Sequence, residues 1–193
     1  MRAMVAASGS RAGNHDGSTS SASGRGAMGD ERRGVCPVTV TGVTFTLEQV
    51  RYDSPDAHML IEELQEEYVI RYGGRDETPV DPDDFAAPKG TFLLAYRDAE
   101  LVGCAGMRRR SDEDVEVKRM FIRRTYRGRG FSRDLLALVE DEARTMGFSR
   151  ILMESGLAQP EAMHLYETSG YERIPGFGHY RNEPQNRCYA KVL

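Results

Sequence analysis

The chain has 193 residues, 39% of them hydrophobic, and a net charge of −4. That is enough apolar material for one domain core, and the acidic balance gives no general attraction to nucleic acid or an anionic membrane. Cys36, Cys104 and Cys188 lack the spacing of a disulfide frame or zinc site, and no apolar run reaches membrane-spanning length, so we expect a soluble protein of the reducing cytoplasm, without membrane partner or bound metal.

Residues 1–34 are rich in Gly, Ser, Ala and Arg and hold almost nothing to bury, which predicts a disordered tail ahead of one domain over 35–193. Met28 offers an alternative start. Val38 to Val50 alternates Val, Thr and Phe as a strand. Ser54-Pro55 is a helix start, and the helix it opens carries Met59, Leu60, Leu64, Tyr68 and Val69 on one face and stops near Gly73-Gly74. A loop with a short turn near Asp83 to Phe85 follows, then strands at Thr91–Tyr96 and Leu101–Met107 joined by the hairpin signature Arg97-Asp98-Ala99-Glu100. Val115–Ile122 makes a third meander strand. Beyond it come a helix with Leu135, Leu138, Val139, Ala143 and Met146 on one face, a strand at Arg150–Glu154, a helix at Pro160–Thr168, and strands near Tyr171–Ile174 and Arg187–Val192.

The junction Arg127-Gly128-Arg129-Gly130-Phe131-Ser132-Arg133 is the most informative stretch. It joins strand to helix, and its glycines let successive backbone N–H groups turn toward an anion at the positive end of the helix dipole. A pyrophosphate suits it. A P-loop is excluded because Phe131-Ser132 stands where Lys-Ser/Thr is needed, and a dinucleotide fingerprint because Arg133 stands where a third glycine is needed. The basic cluster Arg108–Arg110, Lys118, Arg119, Arg123, Arg124, Arg127, Arg129 and Arg133 has few aromatics among it, which argues against nucleic acid as a partner.

Four segments in this order resemble the GNAT superfamily of acetyl-coenzyme A-dependent N-acetyltransferases, from about Val43 to Leu193. They are Glu116-Val117-Lys118-Arg119-Met120-Phe121-Ile122, the glycine turn, Ile151-Leu152-Met153-Glu154, and Leu165-Tyr166-Glu167-Thr168-Ser169-Gly170-Tyr171. The resemblance implies an α/β fold: a mixed, mostly antiparallel twisted sheet flanked by helices and splayed at its central strands. It also implies acetyl-CoA as co-substrate. Coenzyme contacts would come from the strand segment Met120, Phe121 and Ile122, from Arg127, Gly128, Arg129, Gly130, Phe131, Ser132 and Arg133 in the turn, and from Gln159 and Tyr166. Ser132 replaces the family's Gly or Ala, and Gln159-Pro160 stands where many relatives carry Asn.

Acyl transfer to an amine needs a neutral amine, a stabilised carbonyl oxygen and a proton for the departing thiolate. The resemblance points to Glu116 as general base, on the same strand face as Met120 by alternation, and to Tyr166 as the acid beside the sulfur. An ordinary strand carboxylate paired with Lys118, and a core aromatic, are the competing readings of those two residues. His164, two positions from Tyr166, points elsewhere, and Tyr171 reads as core. His179 is a candidate for touching the acceptor. The acidic loop with Asp76, Glu77, Asp81, Asp83 and Asp84 either attracts a cationic amine or is simply solvated. The activity implied is acetyl transfer to a primary amine of a small molecule in a ternary complex. A protein-lysine acetyltransferase and a non-catalytic acyl-CoA sensor or scaffold are the alternatives. Relatives often form homodimers.

Overall fold

The computed structural model describes residues 36–40 and 43–193, and the tail expected over 1–34 lies outside them. The stretch read as one strand from Val38 to Val50 is two antiparallel strands, β1 (Cys36–Val40) and β2 (Val43–Val50), reversing between the paired Val40 and Val43. Helix α1 (Pro55–Tyr72) begins where the Ser54 side chain accepts from the Ala57 amide and ends at Gly73, whose left-handed conformation lets its N–H reach the Val69 carbonyl. Its buried face is Ala57, Leu60, Ile61, Leu64 and Gln65; Met59 and Val69, expected on that face, are exposed. The helix is rotated so that Ala57 and Ile61 take their places.

β3 (Gly90–Arg97), β4 (Glu100–Arg109) and β5 (Asp114–Ile122) form the expected meander, the first turn made by Asp98 and Ala99 with positive φ. Helix α2 (Phe131–Thr145) crosses to β6 (Arg150–Gly156), which lies parallel to β5; α3 (Pro160–Thr168), β7 (Glu172–Ile174) and β8 (Asn186–Val192) complete the chain. The eight strands make one sheet in the order β1-β2-β3-β4-β5-β6-β8-β7. It is mixed and mostly antiparallel. α1 covers one face over Phe92, Leu94, Cys104 and Phe121; α2 and α3 cover the other over Met107, Val115, Val117, Ile151 and Met153.

Two features of β5 shape the centre of the sheet. Its register against β4 slips between Cys104 and Gly106, and Arg119, opposite the slip, has φ 57°. This is a β-bulge, which adds local twist and reverses the inward and outward alternation beyond it. Glu116 and Lys118 lie on the α1 face and Val117 on the α2 face, but past Arg119 it is Met120 and Ile122 that join the α2 core and Phe121 that packs under α1. The expectation that Glu116 and Met120 share a face is therefore overturned. The second feature is that β5 pairs with β6 only from Asp114↔Arg150 to Val117↔Met153. Beyond that point β6 stays with β8 as far as Gly156, and the two central strands part. The splay expected of the sheet starts at the bulge.

Candidate active site

The parting strands open a cavity of about 130 Å³, partly open to solvent. It reaches through the sheet, since its walls include Tyr68 and Tyr72 from α1 on one face and Gln159, Ala162 and Tyr166 from α3 on the other, with Lys118, Arg119 and Met120 of β5 between them. On its β6 side, β5 has no partner strand from Arg119 onward among the described residues, so main-chain groups there face the opening. Gly156 closes the β6 side; the Tyr72 hydroxyl stands against the place its Cβ would take, so a side chain there would displace the Tyr72 ring. That hydroxyl also lies 3.1 Å from Oε1 of Gln159, to which it donates.

At the α2 end, Gly128 and Gly130 have φ of 75° and 86°, the left-handed region that glycine enters at no steric cost. A Cβ at either would meet nothing within 4 Å, so their surroundings are open rather than filled by neighbouring side chains. Gly130 caps α2 without a side-chain hydrogen bond, its carbonyl accepting from the Arg133 and Asp134 amides, and the positive end of the helix dipole lies at the turn. These features fit a diphosphate. Gly130, Ser132 and Arg133 line a shallow groove with Glu161, His164 and Leu165 of α3. His164 thus faces away from Tyr166, as its spacing implied, but onto the glycine turn.

Several side chains expected at the coenzyme do other work. The Arg127 guanidinium donates to the Ile122 carbonyl at 2.8 Å and grips Glu67 of α1, so it braces the turn against the sheet. Phe131 is buried in the α2 core beneath Arg97, and Phe121 and Ile122 are buried on opposite faces. These residues present backbone, not side chain. Arg133 ties α2 to Thr168 and Ser169 at the end of α3. Arg129 is exposed at the turn. Met120, Gln159 and Tyr166 line the cavity.

The carboxylates are arranged differently from the expectation. Glu116 is 0% exposed and is not on the cavity wall. Its Oε2 accepts from Arg108 Nε at 2.9 Å, and its Oε1 lies 3.4 Å from Lys118 Nζ, an ion-pair distance without hydrogen-bond geometry. Lys118 Nζ donates in turn to Glu154 Oε2 at 3.1 Å, and Glu154 does line the cavity. Of the acidic loop, only Asp76 reaches this wall; Asp81 caps the short 3-10 turn Pro82–Phe85, and Glu77 and Asp83 are exposed. Asp76 is ion-paired with Arg119 and accepts from Thr78 and from the Tyr180 hydroxyl. Burial pushes its carboxyl up, but Arg119, Thr78 and Lys118 more than reverse this and hold it down to about 2. The negative charge therefore persists above that pH, and with it the tie between the loop after α1 and the loop before β8.

Tyr180, not its neighbour His179, lines the cavity; the His179 ring stands edge-on to it at 4.6 Å. Sequence reasoning missed Tyr68, Tyr72, Arg119, Glu154, Tyr180 and Asn186 as wall residues. A signal was present for Glu154, the charged residue ending the apolar run Ile151-Leu152-Met153. The basic cluster is largely neutralised: Arg108, Lys118, Arg119, Arg123 and Arg127 pair with Glu116, Glu154, Asp76, Glu63 and Glu67. No described helix is long and apolar enough to cross a membrane.

Comparison with known proteins agrees with this architecture. The pattern of the acetyltransferase (GNAT) family matches residues 57–171. An IAA acetyltransferase of Azospirillum brasilense is 36% identical over 135 residues, 69% of this chain and 88% of its own length. Among solved structures, an acyl-CoA N-acyltransferase of Klebsiella pneumoniae superposes with a TM-score of 0.65 at 24% identity, over 77% of this chain and 97% of that one. A GNAT acetyltransferase of Elizabethkingia anophelis with acetyl-CoA bound gives 0.56 at 16% identity, over 77% and 98%.

Proposed function

This chain belongs to the acetyltransferase (GNAT) family, whose members use acetyl-CoA, and from that premise we propose that residues 35–193 form a unit that moves acetyl from acetyl-CoA to a primary amine of a small molecule, by direct attack with both substrates bound. The observation that carries the reading is the cavity that runs through the sheet, with Tyr166 on the α3 side and the carboxylates Asp76 and Glu154 on the α1 side, while the glycine turn lines a separate groove against α3. Acetyl-CoA supplies an activated acetyl and a thiolate leaving group. The main chain of Gly128 to Ser132 would hold its diphosphate, and the free β5 edge at Met120 and Ile122 would take the arm and polarise the thioester oxygen. Burial raises the pKa of the Tyr166 hydroxyl, with Tyr189 and Tyr72 adding to the effect, so it keeps its proton at neutral pH and can give it to the leaving sulfur.

A small acceptor is favoured over a protein lysine because the Tyr180–Asp76 tie joins two loops at the acceptor end of the cavity. Release of coenzyme thiol across a panel of primary amines tests the reading, and IAA is run beside the panel because a relative is named for it. Amine-dependent release is expected for at least one small acceptor. Binding of acetyl-CoA without release by any acceptor would favour a sensor instead.

Gly130→Val probes the coenzyme side. The left-handed conformation penalises a β-branched residue, and its side chain would enter the open space beside the turn. Calorimetry should show acetyl-CoA binding weakened about tenfold or more, equivalent to about 1.4 kcal/mol, in a protein that still folds. Unchanged affinity would place the diphosphate elsewhere.

A further inference from the structure

Three carboxylates, Glu116 buried and Asp76 and Glu154 partly so, stand at or behind the cavity, and they differ in how far neighbouring cations match their charge. Asp76 has Arg119 to itself and also accepts from Thr78 and Tyr180. Glu116 holds Arg108 at 2.9 Å, has Arg110 at 3.7 Å and shares Lys118. Among the described residues, Glu154 has its share of Lys118 at 3.1 Å and a neutral donor, Asn186 Nδ2, at 2.9 Å. Glu154 is the carboxylate most open to a further positive charge.

Position sorts them the same way. Along β6, Ile151 and Met153 enter the α2 core, so Glu154 projects to the α1 face, where Lys118 meets it. Tyr166 stands on the other face, in the α2 and α3 core, and both residues reach the cavity just past Val117↔Met153, where β5 and β6 part. An amine arriving from the α1 side meets Glu154, and a thiolate leaving on the α3 side meets Tyr166. Glu116 lies behind Lys118, off the wall.

Resting on the acetyl-transfer reading above, we propose that Glu154, and not Glu116, is the catalytic base, with Lys118 as the positioning residue that fixes its carboxylate at the wall. The amine nitrogen bonds to the thioester carbon while its N–H proton passes to Glu154. The C–S bond breaks with its electron pair on sulfur, sulfur takes the Tyr166 proton, and exchange with solvent restores both side chains.

Charged and titratable groups face Glu154 from several elements. Lys118, with Glu116 beyond it, comes from β5. Asp76, with its partner Arg119, is held down to about 2. Burial pushes Tyr72 and Tyr180 up to about 12 and raises Tyr68 on α1 and Cys188 on β8. Glu183, at the rim, is exposed.

With an amine accepted in the panel, kcat/KM is measured against pH for the wild type, Glu154→Gln, Glu154→Asp and Glu116→Gln, and acetyl-CoA affinity by calorimetry. Glu154→Gln should lower kcat roughly hundredfold and remove the acidic limb with coenzyme affinity kept. Glu154→Asp should retain a shifted limb and part of the rate, and Glu116→Gln should retain the limb. A limb that survives Glu154→Gln, or disappears with Glu116→Gln instead, overturns the assignment while acetyl transfer stands. Should Glu154→Gln fail to fold, Glu154→Asp decides, an unaltered limb and rate counting against the proposal. A wild type that binds acetyl-CoA and acetylates no amine overturns the transfer reading and this assignment together.

Discussion

Replacing Tyr166 by phenylalanine is expected to lower kcat roughly 100- to 10,000-fold while leaving acetyl-CoA affinity and folding unchanged. The ring is 7% exposed and packs against Tyr171 and Tyr189 at centroid distances of 5.8 and 5.6 Å, contacts that phenylalanine preserves. What is lost is the hydroxyl, whose proton burial retains. A thiolate leaving without that proton is a poorer leaving group, so the deficit belongs in the chemical step. Single-turnover thiol release, with the thermal midpoint and coenzyme affinity measured in parallel, separates this from a packing role. An unaltered rate would make Tyr166 a core aromatic that happens to border the cavity.

Glu116→Gln is expected to act on stability. Its side chain is 1% exposed and faces Arg108 and Lys118, whose side chains are 11% and 8% exposed. Glutamine keeps the shape and removes the charge, so the nearly buried Arg108 loses its counter-ion and Lys118 is left with Glu154. Breaking one side of such a pair costs about 3–5 kcal/mol, because the remaining charge stays desolvated. At about 2–4 °C per kcal/mol for a domain of this size, the thermal midpoint should fall by roughly 6–20 °C. Adding Arg108→Met should recover part of the loss, since the stranded cation is what is expensive. A midpoint within a degree or two of the wild type would mean that water reaches the cluster.

Local chemistry in this chain was legible because it acts over a few residues. Ser54 and Gly73 bound α1, Asp98 and Ala99 turn the hairpin, and the glycine turn precedes α2, each through a conformation or cap that the residue type supplies. The face shared by Glu116 and Met120 was misread because the alternation from Val115 to Ile122 looks unbroken. Arginine gives no hint that it will adopt a left-handed conformation; Arg119 is held there by its buried pairing with Asp76 and by the Cys104 thiol, which donates to its carbonyl at 3.2 Å. Those partners are distant in sequence. The same holds for Lys118 with Glu154 and for Tyr180 with Asp76, so the α1 side of the cavity emerged only from the tertiary structure. A single inserted residue in β5 thus turns Met120 away from Glu116 and lets the sheet part where the reaction is placed.

The central claim is that the opening between β5 and β6 carries the acetyl group through the sheet. Its most direct test is a crystal structure of the protein with acetyl-CoA. The account predicts the diphosphate on the amides of Gly128 to Ser132, the sulfur beside the Tyr166 hydroxyl and the acetyl group facing Glu154. A coenzyme bound elsewhere on the surface, or an arm that stops short of the parting strands, would contradict it.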